Sequence, residues 1–236
     1  RHFPNLKVIN IGIGGDKTQN VLWRLDHGGV DGITPNAILL MIGNNNMFFT
    51  PETGIEAAAK GIEMCVKNLR DKFPDAKIVV AKILPAHSPS HQFYKDILAT
   101  NKALDTLELQ RDPQVRVLDL TSRFLHEDGS LVKDLYTPDN IHLSPAGYAA
   151  YAEQLKPFLD AIMAGNALPS QSPGSNRTNG SVMKLESKIA PRRTIAATEV
   201  KLASKPVITY PYAPYNERSE EHTSELQSPC NLVCRL

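Results

Sequence analysis

Short apolar segments recur along the N-terminal half of the chain, and most of them are rich in Ile, Val and Leu. Four of these segments span residues 7–13, 37–43, 77–84 and 115–120. Because nearly every position in them is apolar, they fit strands of a parallel sheet that is buried on both faces. The pattern therefore predicts four parallel strands.

Segments with apolar residues at helical spacing lie between and after these predicted strands. They are residues 18–28, 51–73 and 91–109, together with a segment that follows Ser144-Pro145. Serine before proline is a preferred helix start, with the serine as cap and the proline in the first turn. Strands that alternate with helices predict a three-layer α/β/α sandwich. Ligands of such sheets bind at the carboxyl ends of the strands.

The periodic pattern ends before residue 165, and the composition of the chain then changes. Residues 165–217 begin with a stretch rich in Gly, Pro, Ser and Asn, and we interpret them as a linker and an unassigned segment. Residues 218–228 and 232–236 match, in order, the translation of two parts of a common sequencing-library adapter. We therefore expect one folded domain over residues 1–164 and interpret residues 218–236 as adapter-derived rather than native.

Charge and cysteine content argue against several classes of function. The formal net charge is +1, from 26 basic and 25 acidic residues, which disfavours a general surface for nucleic acid or other polyanions. No apolar segment reaches the ~20 residues that a membrane-spanning helix needs. Cys230 and Cys234 fall in the adapter-like segment, so only Cys65 remains. Neither a disulfide framework nor a cysteine metal site is expected.

Two polar turns follow the first two predicted strands. The sequence IGIGGDKT places Gly14 and Gly15 directly after a strand, where a glycine N–H can donate to a developing oxyanion. The dinucleotide motif G-x-G-x-x-G needs glycine where Lys17 stands, so nucleotide binding is the weaker alternative. The sequence IGNNN places Asn45 after the second strand, where its amide can donate to an oxyanion. A run of asparagines also fits an ordinary turn.

Two residues near the last predicted helix have the spacing of a catalytic dyad. In PDNIHLS, Asp139 can accept a hydrogen bond from one ring nitrogen of His142 and leave the other as a general base. The plainer alternative is that Asp139 caps a turn and His142 is a surface histidine. A metal site that adds His87 and His91 is a further alternative, but Pro89 between them disfavours the helical turn that would align both rings.

These blocks occur in the order found in the SGNH (GDSL-like) hydrolase family, which the chain resembles over about residues 5–162. The likeness is greatest to the branch that contains the alpha subunits of platelet-activating-factor acetylhydrolase. The sequence GIGGDKTQNVLWRL, the G-x-N-N block and Leu84-Pro85 carry that likeness. Asn46 stands where many members of the family have aspartate.

The resemblance implies a fold, a reaction and four site residues. The fold is flavodoxin-like, and the reaction is hydrolysis of a carboxylic ester by a Ser-His-Asp triad. Gly15 and Asn45 would form the oxyanion hole, and Asp139 and His142 would complete the triad. No metal or organic cofactor is implied. The expected substrate is a small ester with a short acyl group, either a lipid or an acetylated carbohydrate, and a homodimer is left open.

One block of the family pattern is absent, because no G-D-S sequence occurs in residues 1–37. The resemblance places this nucleophile on a strand before Lys7, so we expect the chain to lack both the serine and the first strand, and to be inactive alone. The two strands beside the missing one should then expose unpaired edges. Ser144 is better explained as a helix cap, and Ser88 follows a neighbouring strand. The alternative is a non-catalytic α/β binding module or a pseudoenzyme of the same fold.

Overall fold

A central sheet with helices on both faces organises the residues that the computed structural model describes. These are residue 3 and residues 6–49, 54–106, 111–166 and 232–235, all within one compact unit. The strands are β1 (Val8–Asn10), β2 (Ala37–Leu40), β3 (Lys77–Ala81), β4 (Val115–Leu118) and β5 (Leu232–Arg235). The helices are α1 (Thr18–Asp26), α2 (Asn44–Phe49), α3 (Gly54–Lys72), α4 (Gln92–Leu104) and α5 (Pro145–Met163).

The predicted α/β sandwich is confirmed by the pairing of the strands and by the packing on the two faces of the sheet. Strands β2, β3 and β4 pair in parallel in that order. On one face Leu39 and Val79 belong to an apolar cluster with α5. On the other face Ile38 and Val80 belong to a cluster with α1 and α3. Burying each such side chain contributes roughly 1.5–3 kcal/mol, so the alternating strand residues hold helices on both faces.

The order of strands in the sheet is β1-β5-β2-β3-β4, and β5 is antiparallel to both of its neighbours. A flavodoxin-like sheet has the order 2-1-3-4-5. If β1 to β4 are strands two to five, the place of the first strand lies between β1 and β2, and β5 occupies it. The prediction that these two strands expose unpaired edges is therefore wrong for this structure. Two facing edges of unpaired N–H and C=O groups bind an extended segment readily.

Several parts of the sequence interpretation fall outside the described residues. Most of the predicted linker and unassigned segment, residues 167–217, lies outside them, and so does Cys230. The interpretation of residues 218–236 as adapter-derived stays a prediction. Among the helices that the structure does describe, none is long and apolar enough to cross a membrane.

Helix α1 packs closely on α3 at a glycine. A β-carbon built at Gly61 of α3 would lie only 2.5 Å from the β-carbon of Thr18, the first residue of α1. Real β-carbons do not approach so closely, so a side chain at residue 61 would push the two helices apart. Because Gly61 has no side chain, α1 can pack closely on α3. This close packing fixes the start of α1 and the turn that precedes it.

The close approach at Gly61 can be tested with a substitution that helix propensity alone would favour. In an exposed helix interior, glycine to alanine stabilises by ~0.8–1 kcal/mol. We expect Gly61→Ala instead to lower the free energy of unfolding by about 1–3 kcal/mol, the usual cost of overpacking. Urea denaturation measures this change. The control is Gly14→Ala, whose β-carbon would meet no atom within 4 Å. A Gly61→Ala variant as stable as the parent would contradict the packing.

Candidate active site

A cavity of about 200 Å³ lies at the carboxyl ends of the parallel strands. Three of the four predicted site residues line it, namely Gly15 after β1, Asn45 after β2, and His142 before α5. The fourth, Asp139, is hydrogen-bonded to His142. The structure thus brings together residues that are far apart in the sequence, at the edge where α/β sheets bind ligands.

The Asp139–His142 pair has the geometry of a base and its orienting carboxylate. His142 Nδ1 lies 2.6 Å from Asp139 Oδ2. Because that contact engages Nδ1, Nε2 is the ring nitrogen that remains to accept a proton. The two side chains are 46% and 44% exposed, so the pair lies at the cavity's open side and a reacting group can reach it.

The ionisation of Asp139 is fixed by the hydrogen bonds around its carboxylate. Burial raises the pKa of Asp139, but hydrogen bonds from His142, from Thr137 Oγ1 and from the backbone N–H groups of Ile141 and His142 outweigh burial and hold that pKa well below its usual range. The hydroxyl of Thr137 donates over 2.7 Å, and the N–H of Ile141 over 2.9 Å. Asp139 therefore stays ionised at neutral pH and can stabilise a positive charge on His142.

The loop that carries this pair is closed by its own backbone contacts. The N–H of Thr137 donates to the carbonyl of His142 over 2.8 Å, and the N–H of Asn140 donates to the carbonyl of Thr137 over 3.0 Å. Asn140 has a φ of 58°, a left-handed conformation that asparagine tolerates better than most residues. Asp139 caps this turn, as the plainer alternative expects, because its Oδ1 accepts the N–H groups of Ile141 and His142.

The glycine turn after β1 contacts the asparagine that follows β2. Asn45 Nδ2 donates to the backbone carbonyl of Asp16 over 2.9 Å. An amide carries two N–H groups, so one of them stays available for a ligand in the cavity. Gly15 has a φ of 81°, which a residue with a side chain would adopt only under strain.

The sequence interpretation missed the role of Asn46, which is completely buried beside Asn45. Asn46 Oδ1 accepts the backbone N–H of Thr18 over 3.0 Å. Its Nδ2 donates to Thr18 Oγ1 and to Gln19 Oε1, over 3.1 and 3.0 Å. These bonds tie α2 to the start of α1. An aspartate at this position would lack the two N–H donors, so this departure from the family pattern has a structural role.

A second missed feature is the ion pair behind the glycine turn. Arg24 Nη1 and Nη2 lie 2.9 and 2.5 Å from the two carboxylate oxygens of Asp16, whose side chain is only 6% exposed. Arg24 Nη2 also donates to the carbonyl of Ile11. The helical pattern holds a weak signal for this pair, because Arg24 lies three residues after Val21 and thus borders the buried face of α1.

No serine, threonine or cysteine within the described ranges lines the cavity. Ser144 is a helix cap, as predicted, because its Oγ donates to the carbonyl of Asp134 and accepts the N–H of Gly147. Ser88 belongs to a different cavity, next to His87. Cys65 is buried away from the cavity, and burial, only partly offset by Arg24, raises the pKa of its thiol to about 12, which disfavours the reactive thiolate.

The two histidines of the alternative metal site lie next to each other, but their rings stack instead of pointing at a shared ligand position. The rings of His87 and His91 lie 4.3 Å apart, centroid to centroid, in a loop rather than in a helical turn. His91 caps α4, with Nδ1 accepting the N–H of Phe93. Over the part of the chain that the structure describes, no group of three or more His, Cys, Asp or Glu side chains could hold a metal ion.

Comparisons with known proteins agree with this architecture. The model of the GDSL-like lipase/acylhydrolase family matches residues 1–150. Platelet-activating factor acetylhydrolase IB subunit alpha2 from Rattus norvegicus is 35% identical over 162 residues, which cover 68% of this chain and 66% of that protein. Subunit alpha1 from Bos taurus is 33% identical over 178 residues, which cover 72% of this chain and 74% of that protein.

A solved structure gives the same result for the fold. A Streptococcus pneumonia protein, whose description names platelet activating factor, superposes with a TM-score of 0.56 and 28% identity. The match covers 64% of this chain and 72% of that one. The chain spans 66% of the length of the rat relative.

The buried ion pair should matter far more to stability than an exposed one. Removing one partner of a buried pair costs about 3–5 kcal/mol, because the other charge is left buried without compensation. We therefore expect Asp16→Asn to lower the free energy of unfolding by ~3 kcal/mol in urea denaturation. The matched control is Asp160→Asn, which breaks an ion pair with Lys156 whose side chains are 59% and 61% exposed. That control should change stability by less than ~1 kcal/mol. Equal effects of the two substitutions would contradict the role given to Asp16.

The lowered pKa of Asp139 predicts a pH-dependent contribution to stability. A carboxyl group whose pKa is lower in the folded state stabilises the fold above its ordinary pKa of ~3.9. This contribution falls as the pH drops from that value through the lowered one. The stability difference between the parent and Asp139→Asn should therefore shrink as the pH falls below about 4. Urea midpoints between about pH 5 and pH 3 measure this change, and a difference that grows over that range would refute the hydrogen-bonded carboxylate.

Proposed function

The chain belongs to the GDSL-like lipase/acylhydrolase family, and on this premise we propose that the whole protein is a serine esterase. Its substrate is a small carboxylic ester with a short acyl group. The proposal concerns the whole protein, because the chain spans 66% of the length of the rat relative.

One observation carries the proposal, namely the 2.6 Å contact between His142 Nδ1 and Asp139 Oδ2 beside a cavity that His142 shares with Gly15 and Asn45. In this role Nε2 of His142 takes the proton of the nucleophile and later gives it to the leaving alcohol. The ionised Asp139 stabilises the imidazolium that forms between these two steps. A base of this kind acts only when its tautomer is fixed, which the Asp139 contact provides.

The oxyanion of the tetrahedral intermediate is bound on the opposite side of the cavity. The N–H of Gly15 donates one hydrogen bond, and the second N–H of the Asn45 amide donates another. The first N–H of that amide is held by the carbonyl of Asp16, so the donor is oriented before the substrate arrives. Oriented donors of this type stabilise the transition state because they need no reorganisation during the reaction.

The nucleophile comes from outside the described lining of the cavity. In the family pattern it is the serine of a G-D-S block that follows the central strand. In the whole protein that strand would take the place between β1 and β2, which β5 occupies in this structure. Leu232 of β5 is paired with Leu40 at the end of this place that is nearest the cavity. A parallel strand in the same place would end at this edge, so a serine after it would lie between the loops of Gly15 and Asn45.

A non-catalytic binding module of the same fold is the second candidate. The specific observation in its favour is that the described cavity lining has no hydroxyl or thiol side chain. In this case the cavity would bind an ester or an acid without cleaving it. A fluorophosphonate probe, which labels activated serines, distinguishes the two candidates.

The proposed roles predict distinct losses of activity in a full-length version that contains the G-D-S block. Removing one oxyanion donor typically costs ~10²–10³ in rate, so Asn45→Ala should lower kcat by that factor on p-nitrophenyl acetate. Replacing the base in His142→Ala should cost at least ~10⁴. The control is Asn68→Ala on α3, whose amide contacts Asp26 at the surface.

The same experiment separates the two candidates. The esterase proposal expects labelling of the full-length protein by the fluorophosphonate probe and none of the 236-residue chain. An unlabelled full-length protein would favour the binding module. Wild-type turnover in the Asn45→Ala variant would disprove the role of that amide.

A further inference from the structure

Two phenylalanines at the end of α2 line the candidate cavity and yet remain open to solvent. Phe48 and Phe49 are each 56% exposed, and both line the same cavity as His142. Large aromatic side chains gain free energy by burial, so two adjacent exposed ones at a cavity mouth indicate a surface that a ligand covers.

These two rings form a continuous apolar surface with a third. Phe48 contacts Phe49 edge to face at 5.1 Å and Phe93 at 5.8 Å, centroid to centroid. Phe93 also lines the cavity and is buried at the start of α4. We call Phe48, Phe49 and Phe93 the aromatic wall. On one side it is bounded by Lys17, whose Nζ lies 5.1 Å from the centre of the Phe49 ring.

The aromatic wall has a fixed position relative to the candidate oxyanion donor. Phe48 and Phe49 follow Asn45 by three and four residues on the same helix, and such residues share one face. A ligand whose carbonyl oxygen meets the Asn45 amide therefore has the wall directly beside it.

The size of the cavity requires a larger ligand to extend onto this wall. The cavity holds about 200 Å³, whereas ligand sites commonly measure ~300–1,000 Å³. A short acyl or alcohol group fits inside, and any larger group must leave through the mouth. The phenylalanine side chains there offer no hydrogen-bonding group to the hydroxyls of a sugar.

We propose that the aromatic wall binds an apolar chain of the ester substrate as it leaves the cavity. It thereby selects lipid-like esters over acetylated carbohydrates. The position of the ester group comes from the proposed function, on which the role of the wall rests. Contact with several methylene groups, each worth ~0.8 kcal/mol when fully buried, is enough for a preference of tenfold or more.

The test measures binding by the 236-residue chain, so it needs no nucleophile. The probes are sodium hexanoate and sodium acetate, which have the same carboxylate and differ only in chain length. The hexanoate chain probes the apolar surface of the wall and does not represent the acyl group of the substrate. Ligand-observed NMR titration should give a dissociation constant for hexanoate at least about tenfold below that for acetate. In the double variant Phe48→Ala/Phe49→Ala this preference should disappear, while acetate affinity stays unchanged.

Both substituted residues are exposed, so the double variant should fold, and its thermal melting is measured alongside. The matched control is Trp23→Ala, which removes an aromatic residue of α1 that is 59% exposed and does not line the cavity. This control should keep the hexanoate preference.

Four outcomes bear on the inference. Equal affinities for hexanoate and acetate, or a hexanoate affinity that the double variant leaves unchanged, would overturn it. Binding of methyl β-xylopyranoside that is lost in the double variant would overturn it in favour of a carbohydrate. A hexanoate preference without ester hydrolysis by the full-length protein would support the wall as a binding surface and contradict the proposed function alone.

Discussion

The geometry of the site depends on two adjacent asparagines that fasten the loop after β2 to the loop after β1. Asn45 holds the carbonyl of Asp16, and Asn46 holds the backbone and the hydroxyl of Thr18. A buried polar side chain is costly unless its hydrogen bonds are made, so these contacts permit few alternative arrangements. They place α2 across the cavity, and through α2 they place both the candidate oxyanion donor and the exposed phenylalanines.

Helix α1 is therefore fixed at its start by contacts of different physical kinds. Asn46 provides directional hydrogen bonds, and Gly61 allows α3 to approach Thr18 closely. Behind the turn, Arg24 neutralises the buried carboxylate of Asp16. At Gly15 no side chain packs against the turn, and a β-carbon built there would meet no atom within 4 Å outside its chain neighbours. The position of its N–H thus depends on the residues that follow the turn.

The sequence predicted those parts of the molecule that local pattern determines. Continuous apolar segments predicted the parallel strands, and the three-residue spacing of Asp139 and His142 predicted a pair whose contact lies within one loop. Helix α2 was not predictable, because Asn44–Asn46 alone also fit a turn. The hydrogen-bonding partners of Asn45 and Asn46 are Asp16 and Thr18, which lie in another segment of the chain. The place of β5 was not predictable either, since four residues paired with two distant strands carry no local signal.

The two halves of the candidate site consequently differ in what stabilises them. Asp139 and His142 are held mainly by hydrogen bonds among residues 137–142, and the N–H of His87 adds one to the carbonyl of Asn140. The oxyanion side lies only a few residues beyond β1, a three-residue strand whose described pairing is with β5 alone. The strand that fills the place between β1 and β2 therefore affects the position of the glycine turn more than the position of the Asp139–His142 pair. An unsuitable strand there would displace the N–H of Gly15, the candidate donor, while His142 and Asp139 kept their contact, so that contact alone is not evidence of a complete site.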